Sequence, residues 1–414
     1  MAPRLPYDVL RLIFEFMNPL AEEEVAEEAG FSLRTASASQ LALQRSLGAT
    51  LSLVSRDWRD LGAKYLWSNF ILSFHKANHE KRLVLLLGNE DIAKTVKRLC
   101  VFGGRDGFDR ALTLPLELLL PSLPNLRALE GISSMELAHK LFSGTVAPSI
   151  DLGHLQYFDL VVMSTTSAHI AGFVINLVKK LHNVTILKLA FPVPASGTFE
   201  SIADIPVRLR PLQRLKSLAC SVHIMNAPTS SLTIPFLTSL LNLVNPSPVE
   251  HLSLSATTIP DTLAKTLGEY RNLVSLRLAC HVSTMRQYIS TIVSVLPSLE
   301  KLSELEFGIA PTWMAPWHLE SDSHLPANLF ASLGRLTLLR TVRLDLDFSS
   351  HEQLVRDFLV QQWSKGVLRR FDTMTWIAVS RNRVPITYER SSEGGWRREE
   401  LGHSIETFGT GVEP

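Results

Sequence analysis

The residues most suited to metal chemistry stand in one short stretch near residue 320. It carries imidazole and carboxylate side chains at alternate positions, namely His318, Glu320, Asp322 and His324. These groups are common ligands of zinc. Alternation without a rigid frame does not bring four side chains to one point, so we expect no metal site here.

The same stretch, Ala310 to His324, is better suited to contacting another protein. Trp313, Trp317 and His318 stand there together with two prolines. Tryptophans in loops often anchor protein interfaces. Two interpretations stay open, because these three residues would either bind a substrate protein or pack the loop against the flank of the domain.

No other group of residues indicates catalysis. The sequence has no Gly-x-Ser-x-Gly, P-loop, His-Glu-x-x-His or Cys-x-x-Cys pattern. Cys220 and Cys280 stand in or beside apolar strand patterns, where a thiol acts as a small hydrophobic side chain. We therefore expect a chain that is not an enzyme and that needs no cofactor.

The overall charge nominates no partner. With 41 Lys and Arg against 40 Asp and Glu, the formal net charge is +1, which does not indicate nucleic-acid binding. No segment approaches the roughly 18 uninterrupted apolar residues of a membrane span, and the N-terminus lacks a signal-peptide pattern. Three widely spaced cysteines favour a reducing compartment. We expect a cytoplasmic and/or nuclear protein with no membrane partner.

Two apolar stripes at helical spacing mark the N-terminal region. The first follows Pro6 and Asp8, which are typical of a helix start. It comprises Val9, Leu10, Ile13, Phe14 and Met17, and the second comprises Leu47, Leu51, Val54, Trp58 and Leu61. Helices this short cannot bury both stripes among themselves, which indicates a docking face for a partner.

The stripes carry a two-part motif. Leu-Pro-x-Asp-Val-Leu-x-x-Ile-Phe begins at Leu5, and Leu-x-Leu-Val-Ser-Arg-x-Trp ends at Trp58. In this order they resemble the F-box family, in the interrupted style of the large fungal, basidiomycete-like sets. The resemblance implies a three-helix domain over residues 1–75 that docks on a Skp-type adaptor and through it on a cullin. It assigns the adaptor contact to Leu5, Pro6, Val9, Leu10, Ile13, Leu53, Val54, Ser55 and Trp58.

Residues 18–44 separate the two halves by more than the family's usual spacing. This insertion contains five glutamates and one arginine, Arg34. Such a composition is typical of a solvated loop or an extra helical turn. We expect the insertion to leave adaptor binding in place.

From about residue 90 the pattern apolar-x-x-apolar-x-apolar recurs. It predicts a strand that is entered by one supporting apolar residue. Successive central residues are 24 to 37 positions apart, and they are Leu99, Leu129, Phe158, Leu187, Leu218, Leu252, Leu276, Leu305, Val342 and Phe371.

Helical spacing is found between several of these strands. It predicts helices over residues 170–181, 236–244, 263–270, 288–296 and 354–363. One strand and one helix per period of about thirty residues resembles the leucine-rich-repeat family, which implies a solenoid over residues 76–380. The asparagine that usually follows the strand is mostly missing, and Pro192, Thr257 and His281 stand in its place.

Residues 381–414 are predicted to close the repeats. The pair Gly394-Gly395 stands before Trp396 and predicts a hairpin, which would shield the edge of the last repeat. Gly402 to Pro414 is predicted to be a tail.

The expected fold class is thus α/β, with an F-box followed by an irregular leucine-rich-repeat solenoid. The expected function is that of a substrate-recognition subunit of a Skp-cullin-F-box ubiquitin ligase, which recruits an unidentified target protein. The alternative is a leucine-rich-repeat scaffold or protein-binding module without any ligase.

Overall fold

A computed structural model shows an α/β protein built on mostly parallel strands. The structure describes residues 67–73, 79–102, 116, 118–132, 152–161, 177–194, 210–225, 237, 240–256, 261–280, 290, 292–309, 324–344, 352–364, 373–378, 384–390, 396–400 and 403–408. The chain forms two compact units. The first comprises Met1–Pro192 with Pro211–Leu215, and the second comprises Val193–Arg210 with Lys216–Pro414.

The first unit contains β1 to β4 and most of β5, and neighbouring strands pair in parallel. The strands are β1 (Asn69–Ser73), β2 (Arg98–Phe102), β3 (Ala128–Ile132), β4 (Tyr157–Val161) and β5 (Ile186–Pro194). Helices α1 (His79–Leu87) and α2 (Glu90–Thr95) lie between β1 and β2. Asn89 caps α2, because its side-chain oxygen accepts a hydrogen bond from Ile92 N at 3.1 Å.

The second unit contains six more parallel strands and an antiparallel end. The strands are β6 (Ser217–Met225), β7 (His251–Ala256), β8 (Ser275–Cys280), β9 (Glu304–Ile309), β10 (Thr341–Leu344), β11 (Thr373–Ala378), β12 (Val384–Arg390), β13 (Trp396–Glu400) and β14 (His403–Phe408). Its helices are α3 (Asp261–Leu267), α4 (His324–Leu333) and α5 (Glu352–Ser364). None of the helices in the described ranges is long and apolar enough to cross a membrane.

Nine of the ten predicted central residues lie inside strands, which confirms the repeat pattern there. Phe371 lies outside the described residues. Met374 pairs with Val342 in the register of β10 and β11, and Met374 is completely buried. In β11 a methionine therefore fills the core position that leucine and valine fill in β9 and β10.

Leucine side chains at alternate strand positions form the core. Leu252, Leu276 and Leu305 lie in register on β7, β8 and β9, and each is at most 1% exposed. Because successive strand residues point to opposite faces, the intervening residues form a second face of the sheet. That second face is where polar residues gather.

Hydrogen bonds at the strand entrances align the repeats. In several pairs of neighbouring repeats, one carbonyl oxygen of the first repeat accepts hydrogen bonds from two backbone N–H groups of the next. Lys97 O, for example, accepts from Arg127 N and Ala128 N. The same arrangement recurs at Arg127 O, Gln156 O, Lys216 O, Glu250 O, Val274 O and Ser303 O. Within each unit, the strands of this series therefore begin at the same level.

Asparagines in the turns before the strands reinforce this alignment. Asn125, Asn183 and Asn272 each stand three residues before a strand. Their Nδ2 atoms donate to carbonyl oxygens of the preceding repeat at 2.6 Å in every case. An asparagine before the strand thus satisfies backbone groups in this chain, although the usual position after the strand lacks one.

Gly131 permits an irregularity in β3. Its φ is +74°, a left-handed conformation that favours glycine. A Cβ atom built at this position would lie 2.3 Å from Val101 O, so a side chain cannot be accommodated. The register between β3 and β4 shifts here, and Ile132 pairs with Leu160.

The C-terminal strands differ from the prediction in one respect. β12 and β13 pair antiparallel on either side of the Gly394-Gly395 pair, as the hairpin requires. The tail prediction for 402–414 is wrong over His403–Phe408, because this segment forms β14 and pairs with β13. Its alternating sequence suits a strand, and pairing satisfies the backbone groups of β13 that would otherwise face away from β12.

Helix α5 is joined to this antiparallel end by a carboxylate. Glu352 Oε1 accepts a hydrogen bond from Tyr388 Oη at 3.1 Å and lies 3.2 Å from Arg398 Nε and from Arg356 Nη2. Nearby, Trp396 Nε1 donates to Leu359 O at 3.1 Å. Burial alone would raise the pKa of Glu352, but these hydrogen bonds and cations outweigh it and hold the pKa below its ordinary value.

Candidate protein-binding face

The residues predicted to bind partners lie outside the described ranges. For the adaptor these are Leu5, Pro6, Val9, Leu10, Ile13, Leu53, Val54, Ser55 and Trp58, and for the substrate Trp313, Trp317 and His318. Trp67 is described at the end of the N-terminal region, and its ring stacks on Phe70 of β1 with centroids 6.1 Å apart. His324 is the first residue of α4.

The described part of the chain offers a different candidate, the second face of the sheet in the second unit. One row of residues, paired from strand to strand, crosses it from β6 to β14, with a register shift beside Glu399 in the last pair. The row comprises Ala219, Ser253, Arg277, Glu306, Arg343, Thr375, Thr387, Glu399 and Ser404. We call this the polar row. Every described member except Ala219 carries a polar or charged group.

The centre of the polar row is an arginine pair that shares one carboxylate. Arg277 Nη2 lies 3.2 Å from Glu306 Oε1, and Arg343 Nε lies 3.8 Å from the same oxygen. The two arginines stand on β8 and β10, and Glu306 stands between them on β9. Both guanidinium groups are therefore fixed on one side and exposed on the other.

Hydroxyl groups continue the polar row toward the antiparallel end. Thr375 Oγ1 and Thr387 Oγ1 are 3.2 Å apart, and Thr373 Oγ1 donates to Thr341 Oγ1 at 3.4 Å. Beyond them, Arg397 pairs with Glu389 at 3.3 Å and also with Glu399. This combination of hydroxyls and paired charges suits reversible contact with a polar protein segment.

A second row, nearer the strand entrances, is more buried. Ser275 is completely buried, and its hydroxyl donates to Glu304 Oε2 at 2.8 Å. His251 lies beside it on β7, and burial lowers the pKa of its imidazole despite the opposing charges of Glu250 and Glu304. This row therefore supports the face and offers less surface to a partner than the polar row.

The corresponding face of the first unit is closed. Arg98 forms an ion pair with Glu130, and both side chains are buried. Ala128 lies between Arg98 and Tyr157 in the register of β2, β3 and β4. Because its side chain is small, the Arg98 guanidinium reaches over the Tyr157 ring, 5.8 Å from its centroid. Lys188 Nζ lies 5.5 Å from the same ring. Charged groups are thus packed into the interior here.

Burial dominates the ionisation of this cluster in the first unit. It raises the pKa of Asp159 to about 6, although the charge of Lys188 acts in the opposite direction. Asp159 Oδ1 has no hydrogen-bond partner among the described residues. Burial likewise lowers the pKa of Lys188 and raises the pKa of the Tyr157 hydroxyl.

The Cys100 and Cys220 thiols are poor nucleophiles. Cys100 and Cys220 are buried and unbridged, and burial raises the pKa of each far above its ordinary value. Cys220 fills a core position, as predicted, whereas Cys100 lies on the second face, where its Sγ donates to Glu130 Oε2 at 3.5 Å. Within the described ranges, no three His, Cys, Asp or Glu residues are placed to bind a metal.

The sequence contains a signal for the polar row. In Leu276-Arg-Leu, Leu305-Glu-Phe and Val342-Arg-Leu, a charged residue stands between two core residues. The period of two places all three charges on the face opposite the core. Comparison with known proteins adds no relative, since neither a family model nor a curated protein matches the chain.

Proposed function

We propose that this chain is the substrate-recognition subunit of a Skp-cullin-F-box ubiquitin ligase. In this proposal the N-terminal motif docks on the adaptor, and the repeats form a leucine-rich-repeat solenoid that holds a target protein. The observation that carries the proposal is the order of the parts. Both halves of an F-box-like motif precede a long series of parallel strands linked by helical segments.

The mechanism is proximity. A target held by the repeats would stay close to a ubiquitin carrier bound at the far end of the complex, and this raises the effective concentration of the reacting groups. Catalysis then belongs to partner proteins. The exposed polar row supports the binding role, because it offers contact groups to a target protein. The complex would act in the cytoplasm and/or the nucleus.

Co-purification with a Skp-type adaptor tests the proposal. We expect the full chain, co-expressed with the adaptor, to retain it through affinity and size-exclusion steps. The triple variant Pro6→Ala/Leu10→Ala/Trp58→Ala should lose it, since these residues carry the motif. Wild type that fails to bind, or that binds no better than this variant, overturns the proposal.

A matched control uses apolar residues that are exposed outside the motif. Val84, Leu85 and Leu118 are large exposed hydrophobic residues of the first unit. The variant Val84→Ala/Leu85→Ala/Leu118→Ala removes a comparable apolar surface and should keep the adaptor. Deletion of Glu22 to Ser39 should also keep it if the acidic insertion is passive. A scaffold without ligase association would show no adaptor binding in any of these forms.

A further inference from the structure

We propose that the polar row binds an acidic segment of the target protein, with Arg277 and Arg343 as the two contact points for its oxyanions. The oxyanion is either a carboxylate or a phosphoryl group on a side chain. This inference rests on the proposed function, because it assigns the chemistry of the target that the repeats would hold.

Side-chain exposure makes the outer layer of the face basic. The exposed fractions of the arginine side chains are 43% for Arg277, 55% for Arg343 and 46% for Arg397. The glutamates lie deeper, with 14% for Glu306 and 20% for Glu399. Glu389, at 42%, is comparably exposed. A partner approaching the centre of the face therefore meets guanidinium groups first, although formal charges nearly balance.

The central arginines are fixed before a partner arrives. Each contacts Glu306 Oε1, so less side-chain entropy is lost on binding than for an unrestrained arginine. The exposed side of each guanidinium group can contact a further oxyanion, and guanidinium groups bind carboxylate and phosphate in two-point geometry.

Strand spacing sets the separation of the two contact points. Arg277 and Arg343 are two strands apart, which corresponds to about 10 Å at ~4.8 Å per strand. A peptide in the polyproline II conformation has three residues per turn and rises ~3.1 Å per residue, so acidic side chains three positions apart lie on one side of it, about 9 Å from each other. Ser253 and Thr375 flank the pair with small hydroxyl side chains and leave room for a peptide that crosses the strands.

The remainder of the face argues against a nucleic acid. A phosphate backbone requires a continuous basic surface. Here the row continues beyond Thr387 with Glu399 and Ser404, and Glu389 lies alongside it, so the basic part is confined to the centre. A short acidic protein segment fits this limited extent.

The test measures fluorescence anisotropy with the full chain bound to its adaptor. The probes are labelled peptides Gly-Glu-Ala-Ala-Glu-Gly and its phosphoserine and glutamine counterparts, and a ten-nucleotide single-stranded DNA. We expect at least one acidic peptide to bind tenfold or more tightly than the glutamine peptide, and the phosphoserine arm identifies which oxyanion is preferred. Equal binding of the glutamine peptide overturns the inference, as does DNA that binds more tightly than both acidic peptides.

Matched variants locate the site. Arg277→Gln/Arg343→Gln should weaken acidic-peptide binding at least tenfold, whereas Arg271→Gln/Arg335→Gln should change it less than twofold. The control arginines are exposed in the turns before β8 and β10. Their substitution removes the same charge at positions outside the polar row. If the double variant folds poorly, Arg343→Gln alone should weaken binding at least threefold, since its contact with Glu306 is the longer one. Unchanged binding in the folded variants refutes the inference.

Adaptor retention in the same preparations separates the two proposals. Adaptor binding without discrimination between peptides rejects this inference and leaves the proposed function standing. Peptide discrimination that depends on Arg277 and Arg343, without any adaptor binding, supports the acidic-segment site and rejects the ligase.

Discussion

Asp159 tests whether the buried charged groups on the second face of the first unit lower the free energy of unfolding. The residue is 4% exposed on β4, and burial raises its pKa to about 6. In the unfolded chain the pKa of an aspartate is about 3.9. We predict that the nearly isosteric substitution Asp159→Asn stabilises the protein at neutral and alkaline pH.

The expected size follows from proton linkage. Because the folded-state pKa is raised, the stability contributed by this group is fully present below about pH 4 and is lost as pH rises through about 6. A difference of about two pKa units corresponds to roughly 3 kcal/mol at pH 8 and about half of that at pH 5. A buried amide still needs hydrogen bonds, so we expect a gain of roughly 1 to 3 kcal/mol at pH 8.

Urea unfolding followed by circular dichroism at pH 5 and pH 8 measures this effect. The control is Asp91→Asn on α2, where the carboxylate is exposed in the first helical turn. That change should alter the free energy of unfolding by less than about 1 kcal/mol, mainly through the helix dipole. If Asp159→Asn destabilises the protein at pH 8, or shifts stability equally at both pH values, the carboxylate is well solvated or well paired and the reasoning is wrong.

Three further predictions concern the backbone, the C-terminal end and the repeat alignment. Gly131→Ala should lower the free energy of unfolding in urea by more than about 2 kcal/mol, because its Cβ would clash with Val101 O. Gly131→Asn should lower it by as much, since asparagine tolerates the φ value but has the same Cβ. Glu352→Gln should speed hydrogen exchange in β12 and β13, whereas Asp357→Asn at an exposed position of the same helix should not. Because the pKa of Glu352 is lowered, the stability that its carboxylate contributes is present at neutral pH and is lost as pH falls through that pKa. Asn272→Ala should lower stability by about 1 kcal/mol in thermal unfolding, and no change would show that water replaces its hydrogen bond.

The sequence predicts the core far better than it predicts the second face. Leu99, Leu252 and Leu276 follow a pattern that only a buried strand explains, and the structure confirms each position. The residues between them are equally polar in both units, as in Glu130 and Glu306. One glutamate is buried and the other lies in an exposed row, and this difference depends on tertiary packing that local periodicity does not contain.

Two local features also escaped prediction. Met374 takes the core position of β11, and a methionine is a weaker core signal than a leucine, so the repeat pattern did not single it out. His403–Phe408 has no leucine pattern, and its pairing with β13 is set by an unsatisfied strand edge rather than by its own composition. The predicted adaptor and substrate residues stay predictions, since they lie outside the described ranges.

The shared starting level of the strands has a consequence for how binding specificity can change. Carbonyl groups such as Lys216 O and Glu250 O fix where the next strand begins, whatever the length of the connection before it. Insertions between strands then leave the polar row in line, as the variable spacing of 24 to 37 residues already shows. A new target can therefore be accommodated by replacing one row residue on one strand, without rebuilding its neighbours.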